Sequence, residues 1–204
     1  LIGHPKSATF RTADVVGLDT LAFVAKNAFD KCVDDAEREI FDIPNYLKTI
    51  LDNGWLGQKS GQGFYKKISK GNIHSLDLNT LEYSPQEKKR FTGVRLARQN
   101  INSKMKIKTL AWSKDIAGEF TWEVFAKTLL YSANLNGVIS NDLVNIDRAM
   151  RWGFGWELGP FEIWDAIGVS NSIERMKSEG RNIPGWIEGM LKNGHTSFYR
   201  YSDG

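Results

Sequence analysis

The sequence is poor in cysteine and histidine, and it lacks long apolar runs and blocks of one charge. Its single cysteine, Cys32, excludes an internal disulfide and fits a reducing, cytoplasmic compartment. The three histidines, His4, His74 and His195, lie far apart, and none stands at metal-ligand spacing with another His or with Cys32. A zinc site is therefore not expected. The longest apolar run is about "LAFVA" (21–25), well short of the ~20 residues that span a membrane, and no signal peptide is visible. Lys and Arg total 27 against 24 Asp and Glu, a net charge of +3. The basic stretches "EKKRF" (87–91) and "KMKIK" (104–108) are too short for a nucleic-acid footprint and read as solvated faces.

What the sequence does have is apolar mass. Of its 204 residues 41% are hydrophobic and 12% aromatic, with 7 Trp and 11 Phe. That is a globular composition, large enough for one domain or two small ones, each with a real core. The first residue is Leu1, and the opening residues already read as the interior of a motif. A piece of a longer polypeptide is the expectation.

An internal repeat organises the chain. "FRTADVVGLD" (10–19) aligns with "FEIWDAIGVS" (161–170), pairing Phe10, Asp14 and Gly17 with Phe161, Asp165 and Gly168. "IPNYLKTILDNG" (43–54) aligns with "IPGWIEGMLKNG" (183–194), and "GFYKK" (63–67) with "SFYRY" (197–201). The blocks keep their order while the spacers differ, as expected of two copies of one unit.

The unit reads as helical. Asp14 and Asp165 each precede a Gly and an apolar-periodic stretch, so each is expected to anchor its own helix. From there Leu18, Leu21, Ala25, Phe29 and Cys32 fall on one face, which makes Cys32 a buried structural thiol. Pro44 and Pro184 suit a first helical turn, and Gly54 and Gly194 the left-handed position just past a helix end; Leu47, Ile50 and Leu51 then face inward. Between the copies, "NIHSLDLNTLEYSP" (72–85) alternates and turns at Asn79-Thr80, predicting a β-hairpin that pairs with "GFYKK". Residues 93–115 read as one charged helix. A longer helix over 119–137 buries Trp122, Phe125 or Ala126, Leu129 and Ala133. Asp142 caps a further helix ending at Gly153. The second copy thus has two helices ahead of its Phe161 block, and the first looks truncated at its start.

Few residues offer chemistry. "GFGWELG" (153–159) has the wrong spacing for a dinucleotide fingerprint and follows a helix, so it reads as a packed corner. No G-x-S-x-G elbow supports a Ser-His-Asp set. In "WLGQKSGQGFYKK" (55–67) the Lys59-Ser60 pair precedes the second glycine, so the loop is not a P-loop. Its glycines supply turn geometry, yet Lys59 stands where backbone can approach a ligand closely, and the second copy ("GHTSFY") has lost that lysine.

"FRTADVVGLD", "LGQKSGQGFYKK" and "DRAMRWGFGWELGPFEIWDAIG" (147–168) resemble the C-terminal helical domain of 3-hydroxyacyl-CoA dehydrogenases, in the tandem arrangement of the multifunctional bacterial and archaeal forms. The resemblance implies a mainly α fold: two copies of a 6-phosphogluconate-dehydrogenase-like C-terminal helical domain, with a small β-hairpin between them. The copies would be residues 1–68 and 116–204, joined by a connector over 69–115. It implies oxidation of 3-hydroxyacyl-CoA to 3-oxoacyl-CoA in fatty-acid β-oxidation, with NAD bound by a Rossmann domain of the same polypeptide. Acyl-CoA would lie in a cleft that this helical region closes, and the region would form a homodimer or an internal pseudo-dimer. Lys59 is the residue that the resemblance places near the dinucleotide. The Rossmann fingerprint, the His–Glu catalytic pair and the P-G-F-x-x-N-R junction are absent, and His4 stands where arginine is expected. No catalytic residue is therefore assigned, and the segment alone is expected to be inactive. The competing readings are a standalone helical interaction module and, with a weaker fit, a dehydrogenase of other 3-hydroxy acids.

Overall fold

A computed structural model describes residues 1–5, 8–87 and 89–200. Lys88 of "EKKRF" and Tyr201 of "SFYRY" lie outside them. The chain forms two compact units, one of residues 6–88 and the other of 1–5 with 89–204.

In the smaller unit, α1 (Thr9–Val16) and α2 (Leu18–Lys31) are followed by a 3-10 turn (Arg38–Phe41) and α3 (Asn45–Asp52). Three antiparallel strands then run β1 (Tyr65–Ser69), β2 (Asn72–Leu76) and β3 (Tyr83–Pro85), in the order β1-β2-β3. The expected hairpin and its pairing with the "GFYKK" strand are both present, with Lys66 opposite His74 and Ser75 opposite Ser84. Its turn is built by Asp77, whose Oδ1 accepts the Asn79 N–H at 2.8 Å and the Thr80 N–H at 3.0 Å. The core is small: Leu18, Leu47, Ile50, Phe64 and Leu76, with Tyr46, Trp55 and Tyr83 packed around it.

α2 departs from the sequence expectation. Of its apolar stripe only Leu18 is buried; Ala25 and Phe29 are half-buried and Leu21 is 39% exposed. Cys32 is exposed too, at the residue that ends the helix, where the chain leaves the helical path (φ −89°, ψ 54°) and the stripe stops. The periodic stretch forms the expected helix, but the covering element that the periodicity implies is not found among the described residues of this unit.

The larger unit is all helical: α4 (Thr92–Gln99), α5 (Ser103–Ala111), α6 (Ile116–Asn134), α7 (Leu143–Arg148), α8 (Pro160–Ile167), α9 (Val169–Ser178) and α10 (Gly185–Lys192). The single helix expected over 93–115 is two, because the Asn102 side chain accepts the Met105 N–H at 2.8 Å and starts α5 afresh. α6 buries Trp122, Phe125, Ala126, Leu129 and Ala133 against α8 residues Phe161, Trp164 and Ile167. Burial at roughly 1.5–3 kcal/mol per large apolar side chain makes this interface the main source of the unit's stability. Its two buried indoles are both satisfied: Trp122 Nε1 donates to Glu179 Oε1 at 2.7 Å, and Trp164 Nε1 donates to Ser172 Oγ at 2.7 Å, whose hydroxyl donates to the Val169 carbonyl. Asp142 caps α7, accepting the Val144 N–H at 2.8 Å, and a π-helical turn (Ala149–Gly153) carries the chain to the corner before α8. No described helix is long and apolar enough to cross a membrane.

Candidate functional site

The lysine loop is a closed structure. Gly57 N–H donates to the Gln62 carbonyl at 2.8 Å, and Ser60 Oγ accepts the Leu56 N–H at 2.7 Å while lying 2.9 Å from the Gln62 carbonyl. Residues Gln58–Ser60 make a 3-10 turn ended by Gly61 in the left-handed region (φ +81°). Leu18 N–H donates to the Leu56 carbonyl at 3.2 Å, which ties the loop to the start of α2.

Asp14 clasps the strand that leaves this loop. Its Oδ1 accepts the Phe64 N–H at 2.8 Å and its Oδ2 the Tyr65 N–H at 2.9 Å, with the residue only 4% exposed. Burial pushes the Asp14 carboxyl above its ordinary range, although the two N–H groups pull the other way. The close fit needs two glycines: a Cβ at Gly63 would stand 2.3 Å from Asp14 Oδ1, and one at Gly57 2.3 Å from the Asp14 carbonyl. Tyr83 Oη closes the arrangement by donating to the Gly63 carbonyl at 2.6 Å; burial, with the Asp14 charge, pushes its pKa up to about 12. Asp14 therefore does not cap the helix that follows it, as the sequence suggested. A carboxylate inside α1 has its oxygens directed away from the helix start, onto backbone donors 50 and 51 residues later.

Lys59 projects from the loop to Asp19, with Nζ 2.6 Å from Oδ2. Both side chains are about half exposed, and hydrogen bonding from Lys59 holds the Asp19 carboxyl below its usual range. Beside the loop runs a groove of about 580 Å³ lined by Arg11, Asp14, Gln58, Gly61, Tyr65 and Lys67. Sequence reading missed Arg11 and Lys67 because they sit on α1 and β1, and only the clasp brings those elements together. Gly61 has open space on its Cβ side, so a ligand can approach the backbone there.

The larger unit repeats the clasp without the lysine. Asp165 Oδ1 accepts the Phe198 N–H at 2.8 Å and Oδ2 the Tyr199 N–H at 3.0 Å. Gly168 (φ +95°) stands between α8 and α9 as Gly17 (φ +103°) does between α1 and α2. Gly194 ends α10 with the bonds Gly194 N–H to Leu191 C=O and His195 N–H to Met190 C=O, as Gly54 ends α3 with bonds from Gly54 and Trp55 to Leu51 and Ile50. This unit adds a second carboxylate: Asp147 accepts the Phe161 and Glu162 N–H groups at 2.8 and 3.1 Å and the Tyr199 hydroxyl at 2.8 Å. Burial raises both Asp147 and Asp165. The "GFGWELG" stretch is the corner that the sequence indicated, since Gly159 lies so close to Asp147 that any Cβ would meet it at 2.3 Å.

The histidines are dispersed. His74 pairs across the sheet with Lys66 and Pro85, and Arg200 lies 2.7 Å from His195 Nδ1. His4 stacks on Trp156 with ring centroids 3.8 Å apart; its Nε2 is buried without a partner, and burial lowers its pKa. Among the described residues no group of three His, Cys, Asp or Glu is placed to hold a metal ion.

Fold and loop together define a mainly helical domain that presents a lysine-bearing glycine loop held by a buried carboxylate. Residues 1–67 match the family "3-hydroxyacyl-CoA dehydrogenase, C-terminal domain". All 204 residues align at 51% identity with a Bacillus subtilis protein named "Probable 3-hydroxyacyl-CoA dehydrogenase", covering 26% of it. A Rickettsia felis protein named for a trifunctional fatty acid oxidation complex is 25% identical over 166 residues, 79% of this chain and 22% of that one. A 3-hydroxybutyryl-CoA dehydrogenase of Mycobacterium tuberculosis is 38% identical over 64 residues, 31% of this chain and 21% of that protein. The chain spans about a quarter of the length of the curated relatives it matches. Its residues 1–67 are thus similar to the C-terminal domain of the 3-hydroxyacyl-CoA dehydrogenase family.

Proposed function

We propose that this chain is the substrate-cleft and dimerisation portion of an NAD-dependent 3-hydroxyacyl-CoA dehydrogenase acting in cytoplasmic fatty-acid β-oxidation. The observation that carries the reading is the Asp14 clasp on Phe64 and Tyr65, which fixes the Lys59 loop inside the segment that matches the family. In this reading two copies of one helical unit, residues 1–68 and 116–204, are joined by the 69–115 connector. The matching clasps at Asp14 and Asp165 support that division. Only the first copy keeps a lysine, so only it faces the cofactor.

NAD would be held mainly by a Rossmann domain elsewhere in the polypeptide, and when bound it supplies the hydride acceptor. Lys59, together with the open backbone at Gly61, fits an anionic group, and the Arg11–Lys67 groove is positively charged beside it. The role assigned to Lys59 is to orient the cofactor by charge. Asp19 keeps the ammonium extended over the start of α2 until it is drawn to a ligand.

The test is NADH oxidation driven by acetoacetyl-CoA in the longer polypeptide that contains this segment, with and without Lys59→Ala. Turnover with a KM for NADH raised roughly tenfold by the substitution, about 1.4 kcal/mol, supports a cofactor contact. Turnover indifferent to Lys59 leaves the loop as a structural turn. A folded longer polypeptide without turnover favours a helical interaction module, a reading supported by the exposed α2 residues Phe23 and Val24.

A further inference from the structure

The larger unit concentrates positive charge in one hairpin. Residues 89–108 hold seven of the chain's 27 Lys and Arg and none of its 24 Asp and Glu, so they carry +7 and the rest of the chain −4. They run from the lead into α4 through most of α5, and the two helices pack against each other. At the bend between them stands Ile101, 98% exposed, more than any other large apolar side chain among the described residues. Leu96 and Met105 to either side are 41% and 51% exposed, and Arg95, Arg98, Lys104 and Lys108 are exposed near them. The bend is anchored on both flanks: Asn100 Nδ2 donates to Thr109 Oγ1 at 2.9 Å, and Asn102 Oδ1 accepts the Met105 N–H at 2.8 Å. A fixed backbone thus presents Ile101 to solvent. Three carboxylates come close, Glu157 at the Ser103 hydroxyl, Asp115 at the Gly93 N–H and Asp165 near Lys104; with all three counted the hairpin keeps +4.

We infer that the α4–α5 hairpin docks on the surface of an anionic lipid bilayer, with Ile101 entering the boundary between headgroups and acyl chains and the cations lying on headgroup phosphates. Complementary charge supplies the attraction, since a cluster of about four to eight basic residues is what draws a protein to an anionic leaflet. Insertion removes the exposed isoleucine from water, and the long basic side chains keep their charged ends at the headgroups while their stems cover hydrocarbon. Both helices are short and no described helix could cross a membrane, so the contact is interfacial. Nucleic acid fits less well, because residues 92–108 contain no aromatic side chain on which a base could stack. An acidic peptide would answer the cations and leave Ile101 in water. The hairpin is separate from the Lys59 loop and lies in the other unit.

The experiment is sedimentation of the 204-residue chain, and of the longer polypeptide that contains it, with vesicles of phosphatidylcholine alone or mixed equally with phosphatidylglycerol. Both proteins should sediment with the anionic vesicles and not with the neutral ones, and affinity should fall about tenfold between ~0.05 and ~0.5 M salt. Arg95→Gln/Arg98→Gln should weaken binding about tenfold, while Arg95→Lys/Arg98→Lys should leave it intact. Ile101→Ser should weaken it about fivefold at either salt concentration, since a hydrocarbon contact is not screened. Circular dichroism verifies that each variant is folded. With the single cysteine moved to the bend (Cys32→Ser, Ile101→Cys), an attached environment-sensitive dye should shift to the blue on anionic vesicles and stay unshifted on oligouridylate or polyglutamate. Equal binding to neutral vesicles, binding that ignores Ile101→Ser, tighter binding to either soluble polyanion, a dye that does not shift, or no sedimentation of folded protein each overturns the inference. So does binding by the 204-residue chain that the longer polypeptide lacks, which would mean that the hairpin is covered there. None of these measurements involves dinucleotide or turnover. An inactive longer polypeptide therefore leaves the membrane contact standing, and a failed contact leaves the dehydrogenase reading intact.

Discussion

Asp14 and Phe64 are joined by a buried hydrogen bond of 2.8 Å, from the Phe64 N–H to Asp14 Oδ1. It is half of a two-pronged contact whose other half, from Tyr65 N–H, reaches Oδ2. Two adjacent backbone donors point at one carboxylate, so Phe64 and the first residue of β1, Tyr65, are fixed to α1. The lysine loop between them is thereby closed at both ends.

Asp14→Asn tests this contact with little change of shape. The amide keeps one acceptor and turns an NH₂ group toward the second N–H, leaving a buried donor without a partner. The expected loss is about 1–3 kcal/mol in chemical denaturation. Hydrogen exchange should show the amides of Phe64 and Tyr65 losing protection first. Asp165→Asn should do the same to Phe198 and Tyr199. If either variant instead destabilises only the helix that follows it, the carboxylate is a helix cap after all.

Two glycines of one loop should respond differently to alanine. At Gly63 the new Cβ would lie 2.3 Å from Asp14 Oδ1, a distance that forces the clasp apart. At Gly61 the space is empty, and only the positive φ of +81° opposes the side chain. Gly61→Ala should therefore lower stability by roughly 1–2 kcal/mol, and Gly63→Ala by more, with loss of the Tyr65 amide protection. Similar melting temperatures for the two variants would show that the fit around Asp14 is looser than described.

These residues also show what could be read from sequence. The α3 helix, its inward Leu47 and Ile50, its Gly54 end, the hairpin at Asn79-Thr80 and the Asp142 cap all depend on contacts within a few residues, and local pattern predicted them. The importance of Asp14 and Asp165 was also visible, because both stood in the repeat. Their partners were not, since the hydrogen bonds cross 50 and 33 residues and arise only once the helices have packed. Cys32 failed for a related reason. A periodic apolar face says where cover would go, not that any element of the unit supplies it.

Lys59→Ala should alter electrostatics more than stability. Lys59 and Asp19 are about half exposed, and solvent screens the pair. The melting temperature should stay unchanged within error. The Asp19 carboxyl, held low by hydrogen bonding from Lys59, should return toward its ordinary value in an NMR titration of the side-chain carbons. A titration that does not move would mean that Lys59 does not rest on Asp19 in solution.

The pH dependence of folding should have its acid-labile part at Arg181, not at the buried clasps. Asp14, Asp147 and Asp165 have pKa values raised by burial, so the folded state holds their protons more tightly than the unfolded chain does. Their contribution is largest below the unfolded value and declines as pH rises through the folded one, so it cannot drive acid unfolding. Glu179 behaves oppositely. Burial pushes it up, but hydrogen bonds from Trp122, Arg181 and Arg175 together bring it below its usual range. Glu123, hydrogen-bonded by Arg181, is lowered as well. Stability from this cluster is present above the ordinary glutamate value of 4.5 and is lost as pH falls through the depressed folded values. Trp122 Nε1 lies 2.7 Å from Glu179 Oε1, with the Arg175 guanidinium 4.1 Å above its ring, so its fluorescence reports the event directly. Arg181→Gln should shift the acid midpoint upward, because the carboxylates lose the partner that keeps them ionised. Glu179→Gln should flatten the acid limb while retaining an acceptor for the indole. An acid midpoint unmoved by both substitutions, or moved only by Asp14→Asn, would place the acid-labile contact at the clasp instead.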